Sequence, residues 1–449
     1  TSGLAAPVGD SQVFTLRYTA TFAEDQLVFG NLLGYDTLRL KSGGCLNEPG
    51  QPMLPAHTLR IALPAGMTAT GVRVAETQAL QLAGQYSLFP AQPPRRVSDG
   101  AGAADFVAPD PRIYESPEPY PAKLVELTHQ TDLAGQGIAL IRLYPVRYVP
   151  TEKTLTLYRS IEIVIEGVGG YECGDYLPDQ VSARGRAAYE QTIADMVVNP
   201  EAVELRTSGE PPPPSRGVGP GSYGYVIITT SDWVDDFQPL ADWKTKKGTP
   251  ANIVTTSWIY NSGGYSGSDQ DKIRAFVQDA HSTWGATYFL LGGDTDTVPC
   301  DSTTFSSIDP EAVPNDTYYA DYDGDWTCEV HVGRASVRSA SAVSTFIDKV
   351  FTYEKNPPLT DYAKTIAFFG FDLDEYTPGE DTKSDIESLY IPSGWTYRSE
   401  YDSESGSHMS DVIGYMNQGN HLQNLIDHCN ESVMGVGYVN HGDLLSTSD

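Results

Sequence analysis

Residues 225–255 read YVIITTSDWVDDFQPLADWKTKKGTPANIVT, and this stretch contains the pattern that decides the fold. Tyr225 to Thr229 is an apolar, β-branched run, which is typical of a buried strand. Trp233 to Lys247 has the pattern of a helix, with Asp232 as its N-cap. Ala251 to Thr255 is a second apolar run, so the stretch predicts a strand–helix–strand unit.

The same alternation continues towards the carboxyl end of the sequence. Further helices are expected over 269–284 and 340–353, and further strands over 288–291, 365–371 and 433–439. Such alternation predicts an α/β domain with a mostly parallel sheet that is covered by helices on both faces.

The first half of the chain has the pattern of a β-rich domain. Residues 11–21 and 57–63 alternate between apolar and polar, and residues 138–149 and 154–168 predict a hairpin. Period-2 runs separated by turns predict a sandwich or a barrel. One helix is expected over Ala183 to Val198, where Pro200 ends it.

A segment rich in proline and glycine separates the two halves. Residues 207–222 contain four consecutive prolines, Pro211 to Pro214, followed by three glycines within five residues. Such composition favours extended backbone and buries little apolar surface. We therefore predict a β-rich domain over 1–206, a linker over 207–222 and an α/β domain over 223–449.

The overall charge restricts the classes of partner. The 449 residues carry 29 basic and 59 acidic side chains, a formal net charge of −30. Nucleic acids and anionic membranes require basic patches, so neither is expected as a partner. No apolar run is long enough to span a bilayer. The composition is compatible with a protein that is secreted or bound at the cell surface, although acidity can also serve solubility alone.

The five cysteines leave the redox state open. Cys45 and Cys173 lie in the first half, Cys300 and Cys328 flank a loop in the second half, and Cys429 lies near the end. One disulfide in each half fits an oxidising compartment, whereas buried thiols fit the sequence equally well. No C-x-x-C pair predicts a zinc site.

The apolar run at 433–439 is followed by Asn440, His441, Gly442 and Asp443. Reacting groups in α/β sheets gather at the carboxyl ends of the strands, so His441 is a candidate general base. The glycines around it would allow another chain to approach closely. The alternative interpretation is a structural histidine.

Asp372 follows the apolar run at 366–371, which predicts another strand of the same sheet. A carboxylate in that position could accept a hydrogen bond from His441 and fix its tautomer. The alternative is a solvated acidic residue at a strand end.

An acidic loop, DYDGDWTCE, occupies residues 321–329. Carboxylates at alternate positions, a glycine for the turn and a later glutamate form an oxygen-rich pattern that suits Ca²⁺. Asp294 and Asp296 are further candidates, and the alternative is a solvated acidic turn.

Five segments resemble, in order, motifs of the gingipain family of cysteine peptidases, relatives of caspases, legumains and clostripain. They are YFLLGGD (288–294), NDTYYA (315–320) followed by DGD (323–325), EVHVGR (329–334), DKVFTYE (348–354) and NHG (440–442). Cys328 stands where the family usually has proline. In the first half, GQPMLP (50–55), YP (120–121) and LYPVRY (143–148) resemble the family's N-terminal prodomain.

The resemblance implies a caspase-like α/β domain, a peptide substrate and a β-rich prodomain that inhibits the enzyme until it is removed. It implies that His441 is the general base, that Asp372 orients it and that the amide of Gly442 contributes to the oxyanion hole. It also implies structural Ca²⁺, held by the carboxylates of Asp294, Asp323, Asp325 and Glu329 and by the carbonyl of Thr327.

The nucleophile is where the chain departs from the family. The family's cysteine lies at the end of the next strand, a few tens of residues beyond the histidine, whereas this sequence ends at Asp449. We expect a companion chain that carries the cysteine. Missing residues and a truncated chain are the alternatives. If the enzyme itself cut after Asp449, it would prefer aspartate before the scissile bond.

Two other functions remain open at this point. A calcium-binding surface or adhesive protein could have kept the fold and lost the reaction, and the residue at the position of the nucleophile would distinguish the two. A metal-dependent hydrolase is less well supported, since the histidines show no H-E-x-x-H or similar spacing.

Overall fold

The computed structural model describes residues 13–93, 106–170, 176–207, 217–303, 313–373, 377–429, 433–437 and 442–446. The first region contains β1 (Val13–Thr21), β2 (Leu27–Leu32), β3 (Tyr35–Leu40), β4 (Gly44–Cys45), β5 (Pro55–Ala62), β6 (Met67–Gln81), β7 (Val125–Leu133), β8 (Gln136–Leu143), β9 (Val146–Val149) and β10 (Thr154–Gly169). Its helices are α1 (Pro111–Tyr114) and α2 (Ala183–Met196).

The first region is built from antiparallel sheets. One sheet has the order β1-β10-β6, with β9 also paired to β10, and a second has the order β4-β5-β8-β7. Side chains of both sheets share one apolar core, for example Ile61, Ile141 and Ile163. The predicted β-rich first region is therefore confirmed. The expected strand at 138–149 is interrupted at Tyr144–Pro145, so that β8 and β9 join different sheets.

The second region contains β11 (Tyr225–Thr229), β12 (Ala251–Thr255), β13 (Tyr288–Gly292), β14 (Asp301–Thr303), β15 (Val313–Asn315), β16 (His331–Ala335), β17 (Thr365–Gly370), β18 (Thr396–Tyr401), β19 (Leu422–Ile426), β20 (Val433–Val436) and β21 (Asp443–Ser446). Its helices are α3 (Val234–Lys246), α4 (Thr256–Asn261), α5 (Asp269–Trp284), α6 (Ala340–Glu354), α7 (Gly379–Tyr390) and α8 (His408–Asn417). None of the described helices is both long and apolar enough to cross a bilayer.

Two parallel sheets form the second region, with strand orders β12-β11-β13-β16 and β18-β17-β19. In the first of these sheets, Phe276 of α5 packs on one face and Phe237 of α3 packs on the other. The predicted α/β class, with parallel strands covered on both faces, is confirmed. The structure divides the strands between two sheets, whereas the sequence analysis predicts one.

The second parallel sheet is also covered on both faces, as the side chains of β17 show. Phe369 and Phe371 pack with Val412 of α8, while Gly370 lies against Lys383 of α7. Side chains alternate along a strand, so α7 and α8 cover opposite faces. Both helices, together with β18 and β19, are absent from the sequence-based prediction.

The last apolar run differs from its prediction. β20 covers only Val433–Val436, and it pairs antiparallel with β21 instead of parallel with β17. The position beside β17 belongs to β19, whose residues Leu422 to Ile426 pair with Ile366 to Gly370. A strand therefore forms at the start of the predicted run, but its described partner is antiparallel, and residues 438 and 439 lie outside the described residues.

The predicted domain boundaries stay a prediction. Most of the expected linker, residues 208–216, lies outside the described residues, and so does Cys173. Cys45, Cys300, Cys328 and Cys429 are free thiols in the structure. Of the two alternatives that the sequence leaves open, the structure thus shows free thiols at these four positions.

Candidate active site

The carboxyl ends of the parallel strands β17, β18 and β19 meet at one edge of their sheet. Asp372 follows β17, Asp402 follows β18, and Asp427 and His428 follow β19. Parallel strands collect their carboxyl ends at a single edge, which is where α/β proteins place binding and reacting groups. Among the residues that the structure describes, these strand ends contribute three carboxyl groups and one imidazole.

Asp372 is held through both its backbone and its side chain. Its amide donates to Oδ2 of Asp402 over 2.8 Å, and its Oδ1 accepts from the amide of Gly379 over 3.3 Å. Gly379 is the first residue of α7. Burial raises the pKa of Asp372, and the nearby charge of Asp402 raises it further.

His428 is the described imidazole at this edge, and the sequence analysis does not select it. Its Nε2 atom lies 2.7 Å from the carbonyl oxygen of Leu373, the residue after Asp372. A carbonyl oxygen can only accept, so Nε2 carries the proton in this contact and neutral Nδ1 is left as an acceptor. The half-buried ring thus presents a basic nitrogen.

The turn after β19 is tied by its backbone to the hairpin of β20 and β21. The carbonyl of His428 accepts from the amide of Gly435 over 2.7 Å. Asp427 accepts from the amides of His428 (2.5 Å) and Gly437 (3.0 Å). Burial raises the pKa of Asp427, and the two amides oppose that rise. These contacts fix the orientation of His428 at the strand end.

The arrangement explains why the last apolar run has glycine at positions 435 and 437. A Cβ atom on Gly435 would lie 2.6 Å from Oδ1 of Asp427, closer than real Cβ contacts. Gly437 has φ of +98°, in the left-handed region that favours glycine. Glycine at both positions therefore allows the side chain of Asp427 to lie close to this backbone.

His441 lies outside the described residues, so its place stays a prediction. Gly442 is exposed and immediately precedes β21. Among the described residues, the strand before His441 is β20, which ends at Val436 and pairs antiparallel with β21.

A weak local signal explains why His428 is missed. The strand before it reads Leu-Gln-Asn-Leu-Ile, a sequence that is neither continuously apolar nor strictly alternating. The residue after it, Cys429, forms a β-bridge with Met434. The sequence signal that points to His428 is the apolar pair Leu425 and Ile426, followed directly by Asp427 and His428.

A candidate metal site lies in the acidic loop. One oxygen each from Asp321, Asp323, Asp325 and Glu329 lies within 4.8 Å of the others. Burial raises the pKa of Asp323, and the charges of Asp325 and Asp321 add to that rise. Four hard carboxylate ligands gathered this closely suit a divalent cation such as Ca²⁺.

The group of carboxylates overlaps the predicted metal ligands in three residues. Asp321 joins the group, while Asp294 is not a member and pairs with Nε of Arg338 over 2.5 Å. The amide of Thr295 lowers the pKa of Asp294, and Arg338 also lowers it. Thr327 donates its amide to Oδ1 of Asp325 over 2.7 Å.

The first region touches both the acidic loop and the helix beside Asp372. Thr131 on β7 donates to a carboxylate oxygen of Asp325, and Oη of Tyr189 donates to the carbonyl of Glu329 over 2.5 Å. Arg39 on β3 pairs with two α7 carboxylates, those of Asp381 (3.2 Å) and Asp385. The first region is therefore anchored near both candidate sites.

Two protein-family models match the chain, one in each of its two regions. A family model described as Peptidase family C25 matches residues 220–449, and a model described as Propeptide_C25 matches residues 34–194. Lys-gingipain W83 of Porphyromonas gingivalis is 25% identical over 415 residues, covering 90% of this chain and 22% of that protein. Gingipain R2 of the same organism is 22% identical over 411 residues, covering 88% and 50%.

The chain thus spans between about a fifth and a half of the length of these relatives. Among solved structures, the complex of Porphyromonas gingivalis RgpB pro- and mature domains aligns with a TM-score of 0.34 and 15% identity. That alignment covers 43% of this chain and 98% of the other. The Arg-specific cysteine proteinase gingipain R aligns with a TM-score of 0.39 and 21% identity, covering 51% and 50%.

Proposed function

Because this chain belongs to peptidase family C25 and carries a match to that family's propeptide, we propose that it is a cysteine endopeptidase made as a zymogen. The observation that carries the proposal is the imidazole of His428, held at the carboxyl edge of β17 and β19 by the carbonyl of Leu373. His428 is the general base, and protein or peptide is the substrate class.

The reaction uses the two nitrogens of His428 differently. Nδ1 takes the proton from a cysteine thiol, and the thiolate attacks the peptide carbonyl carbon to form a C–S bond. The C–N bond then breaks, and the protonated imidazole gives its proton to the leaving amine. Water attacks the thioester carbon and loses a proton to Nδ1; the C–S bond breaks, and the leaving thiolate takes that proton back, which releases the acid and regenerates the thiol. The contact with Leu373 keeps Nε2 protonated throughout.

The nucleophile is a cysteine outside residues 1–449, carried by a companion chain or by a further part of the polypeptide. Cys429 is exposed and follows His428 directly. Successive side chains of an extended segment point to opposite sides, so its thiol is directed away from the imidazole. We expect Cys429→Ser to retain activity.

Three sequence-based assignments belong to the same proposal. Asp372 is the carboxylate that the sequence assigns to orient His441. The amide of Gly442 contributes to the oxyanion hole. His441, the base predicted from the sequence, remains the alternative to His428. A preference for aspartate before the scissile bond also stays a prediction.

The acidic loop binds a structural Ca²⁺ in this proposal. Asp321, Asp323, Asp325 and Glu329 would hold it. The alternative ligand set, predicted from the sequence, has Asp294 and the carbonyl of Thr327 in place of Asp321. The ion neutralises the gathered carboxylates and stabilises the loop.

The first region acts as the inhibitory prodomain of a protein that is secreted or held at the cell surface. Its contacts with α7 and with the acidic loop support this role. Removal of the prodomain would release the helix whose first residue binds Asp372.

The test is thiol-dependent peptidase activity of the complete, processed protein. We expect cleavage of a panel of fluorogenic peptides with Asp, Arg or Lys before the scissile bond, and loss of cleavage after alkylation with iodoacetamide. A processed, folded protein that binds Ca²⁺ but cleaves none of a broad peptide library would support the calcium-binding surface protein instead.

A further inference from the structure

The chain enters the second region through Gly217, whose backbone nitrogen is bound to helix α5. That nitrogen donates to Oδ2 of Asp279 over 3.2 Å. Oη of Tyr265 donates to the same oxygen over 2.8 Å, and Oγ1 of Thr283 donates to Oδ1 over 3.2 Å. Asp279 lies within α5 and is half-buried. Its carboxylate is therefore held in place to accept from the nitrogen of residue 217.

The two residues after Gly217 are also fixed to the second region. Val218 is 6% exposed and belongs to the same apolar core as Phe276 of α5. Nε1 of Trp284 donates to the carbonyl of Gly219 over 2.7 Å. Residues 217–219, which we call the anchor segment, are thus held by one buried side chain and by hydrogen bonds on both sides of it.

Glycine at position 217 allows this close approach. A Cβ atom on Gly217 would lie 1.9 Å from the carbonyl oxygen of Gly263, far closer than real Cβ contacts. Any side chain at this position would therefore push the backbone nitrogen away from Asp279. The contact between the nitrogen and the carboxylate depends on the residue type as well as on the fold.

The first region holds the chain on the other side of the linker. The amide of Arg206 donates to the carbonyl of Ala134, and the carbonyl of Arg206 accepts from the amide of Leu177, both over 2.9 Å. A cut between residues 207 and 217 would therefore leave each end bound to its own region. The two family matches end and begin around the same segment, at residues 194 and 220.

We propose that processing cuts the bond before Gly217, and that the new α-ammonium group of Gly217 binds the carboxylate of Asp279. In the sequence the preceding residue is Arg216, so the cut requires a peptidase that accepts arginine before the scissile bond. Hydrolysis breaks the C–N bond, the oxygen of water joins the carbonyl carbon as a carboxylate, and both water protons end on the nitrogen. The proposal rests on the proposed function only in that the chain is a zymogen.

The cut would strengthen a contact that already exists. Before it, Asp279 accepts from a neutral amide that has one hydrogen. After it, the same nitrogen carries a positive charge and three hydrogens, and hydrogen bonds between two charged groups are shorter and stronger. The anchor segment has to detach while the bond is cut, and the new charge then favours its return. Asp279 thereby fixes the amino terminus of the processed second region.

The first measurement identifies the new amino terminus of the processed protein by mass spectrometry. We expect the second region to begin at Gly217. At about pH 7 its α-amine should react with an acylating reagent about tenfold more slowly than in Asp279→Asn, because the carboxylate raises the pKa of the amine. Gly217→Ala should react as fast as Asp279→Asn, since its Cβ prevents the approach. A processed second region that begins at another residue would overturn the proposal.

The second measurement is urea unfolding of the processed and the unprocessed protein. At about pH 7, Asp279→Asn should lower the folding equilibrium constant about tenfold more in the processed form, because only that form has the ammonium group. Asp242→Asn on α3 is the matched control, since its exposed carboxylate also accepts from a residue of its own helix, Gln238. Its effect should be the same in both forms.

An Asp279→Asn effect that is equal in the two forms would overturn the ion pair. Neither measurement depends on cleavage of a substrate, so this failure is distinguishable from failure of the proposed function. A processed protein that begins at Gly217 and shows the protected amine, but cleaves no peptide, would support the ion pair and contradict the peptidase.

Discussion

Nε2 of His428 lies 2.7 Å from the carbonyl oxygen of Leu373. This contact joins the end of β19 to the end of β17, and it leaves Nδ1 as the nitrogen that can accept a proton. A backbone carbonyl is a fixed acceptor, since it neither titrates nor changes rotamer. The geometry therefore sets the tautomer of the neutral ring.

The acidic loop predicts a cation-dependent stability. We expect Ca²⁺ at 100 times its Kd to stabilise the protein by about 2.7 kcal/mol, and EGTA to remove that gain. Asp325→Asn should lower the Ca²⁺ affinity at least tenfold, as measured by titration calorimetry. Asp294→Asn is the matched control, because the carboxylate of Asp294 pairs with Arg338. An equal loss in both variants would favour the ligand set that the sequence predicts.

The ion pairs of Arg39 should help to keep the unprocessed protein inactive. Arg39→Gln removes contacts with Asp381 and Asp385 on α7, so the unprocessed protein should show on the order of fivefold higher basal peptidase activity. The control is Arg17→Gln, whose partner Glu162 lies within the first region. Basal activity that is the same in both variants would show that the α7 contact does not support inhibition.

The buried side chain of Lys383 should make the stability of the folded protein depend on pH. It is 1% exposed, and burial lowers its pKa to about 8. Below pH 8 the buried lysine is charged and costs stability. Between about pH 8 and its ordinary value of 10.5 the unfolded chain binds more protons, so stability rises with pH.

Lys383→Met should therefore stabilise the second region at pH 7 by about 1–3 kcal/mol, with a gain that shrinks towards pH 10. Urea unfolding at several pH values measures the difference. Lys123→Met is the control, since its side chain is 71% exposed. A gain for Lys383→Met that does not change with pH would contradict the assignment.

Replacement of glycine by alanine should change the stability of the second region in opposite directions at two positions. Gly435→Ala would place a Cβ against Asp427 and should destabilise by about 1–3 kcal/mol. Gly414 lies within α8, and a Cβ there would have no neighbour within 4 Å. Gly414→Ala should therefore stabilise by about 0.5–1 kcal/mol. Equal effects in thermal unfolding would contradict the tight approach of Asp427.

The sequence predicts those strands and helices whose own residues have a clear local pattern. The runs that become β11, β13 and β17 are apolar and β-branched or aromatic, and they form the expected strands. Helix α5 has a capping box from Ser268 and Asp271 and ends at Gly285, so its limits agree with the prediction.

The candidate site is less predictable because pairing between distant segments decides it. β19 is half polar, and it becomes a strand through its partnership with β17, some 55 residues earlier in the sequence. The more apolar run at 433–436 turns back into a hairpin instead. The sequence therefore predicts Asp372 at the edge and does not single out His428, while its prediction of His441 lies outside the described residues.

The most direct measurement is kcat/KM of the complete, processed protein with His428→Asn and with His441→Asn, using His421→Asn as the control. Our account predicts a loss on the order of 10³-fold or more for His428→Asn, and values close to the control for His441→Asn. The reverse order, with His441 essential and His428 dispensable, would contradict it.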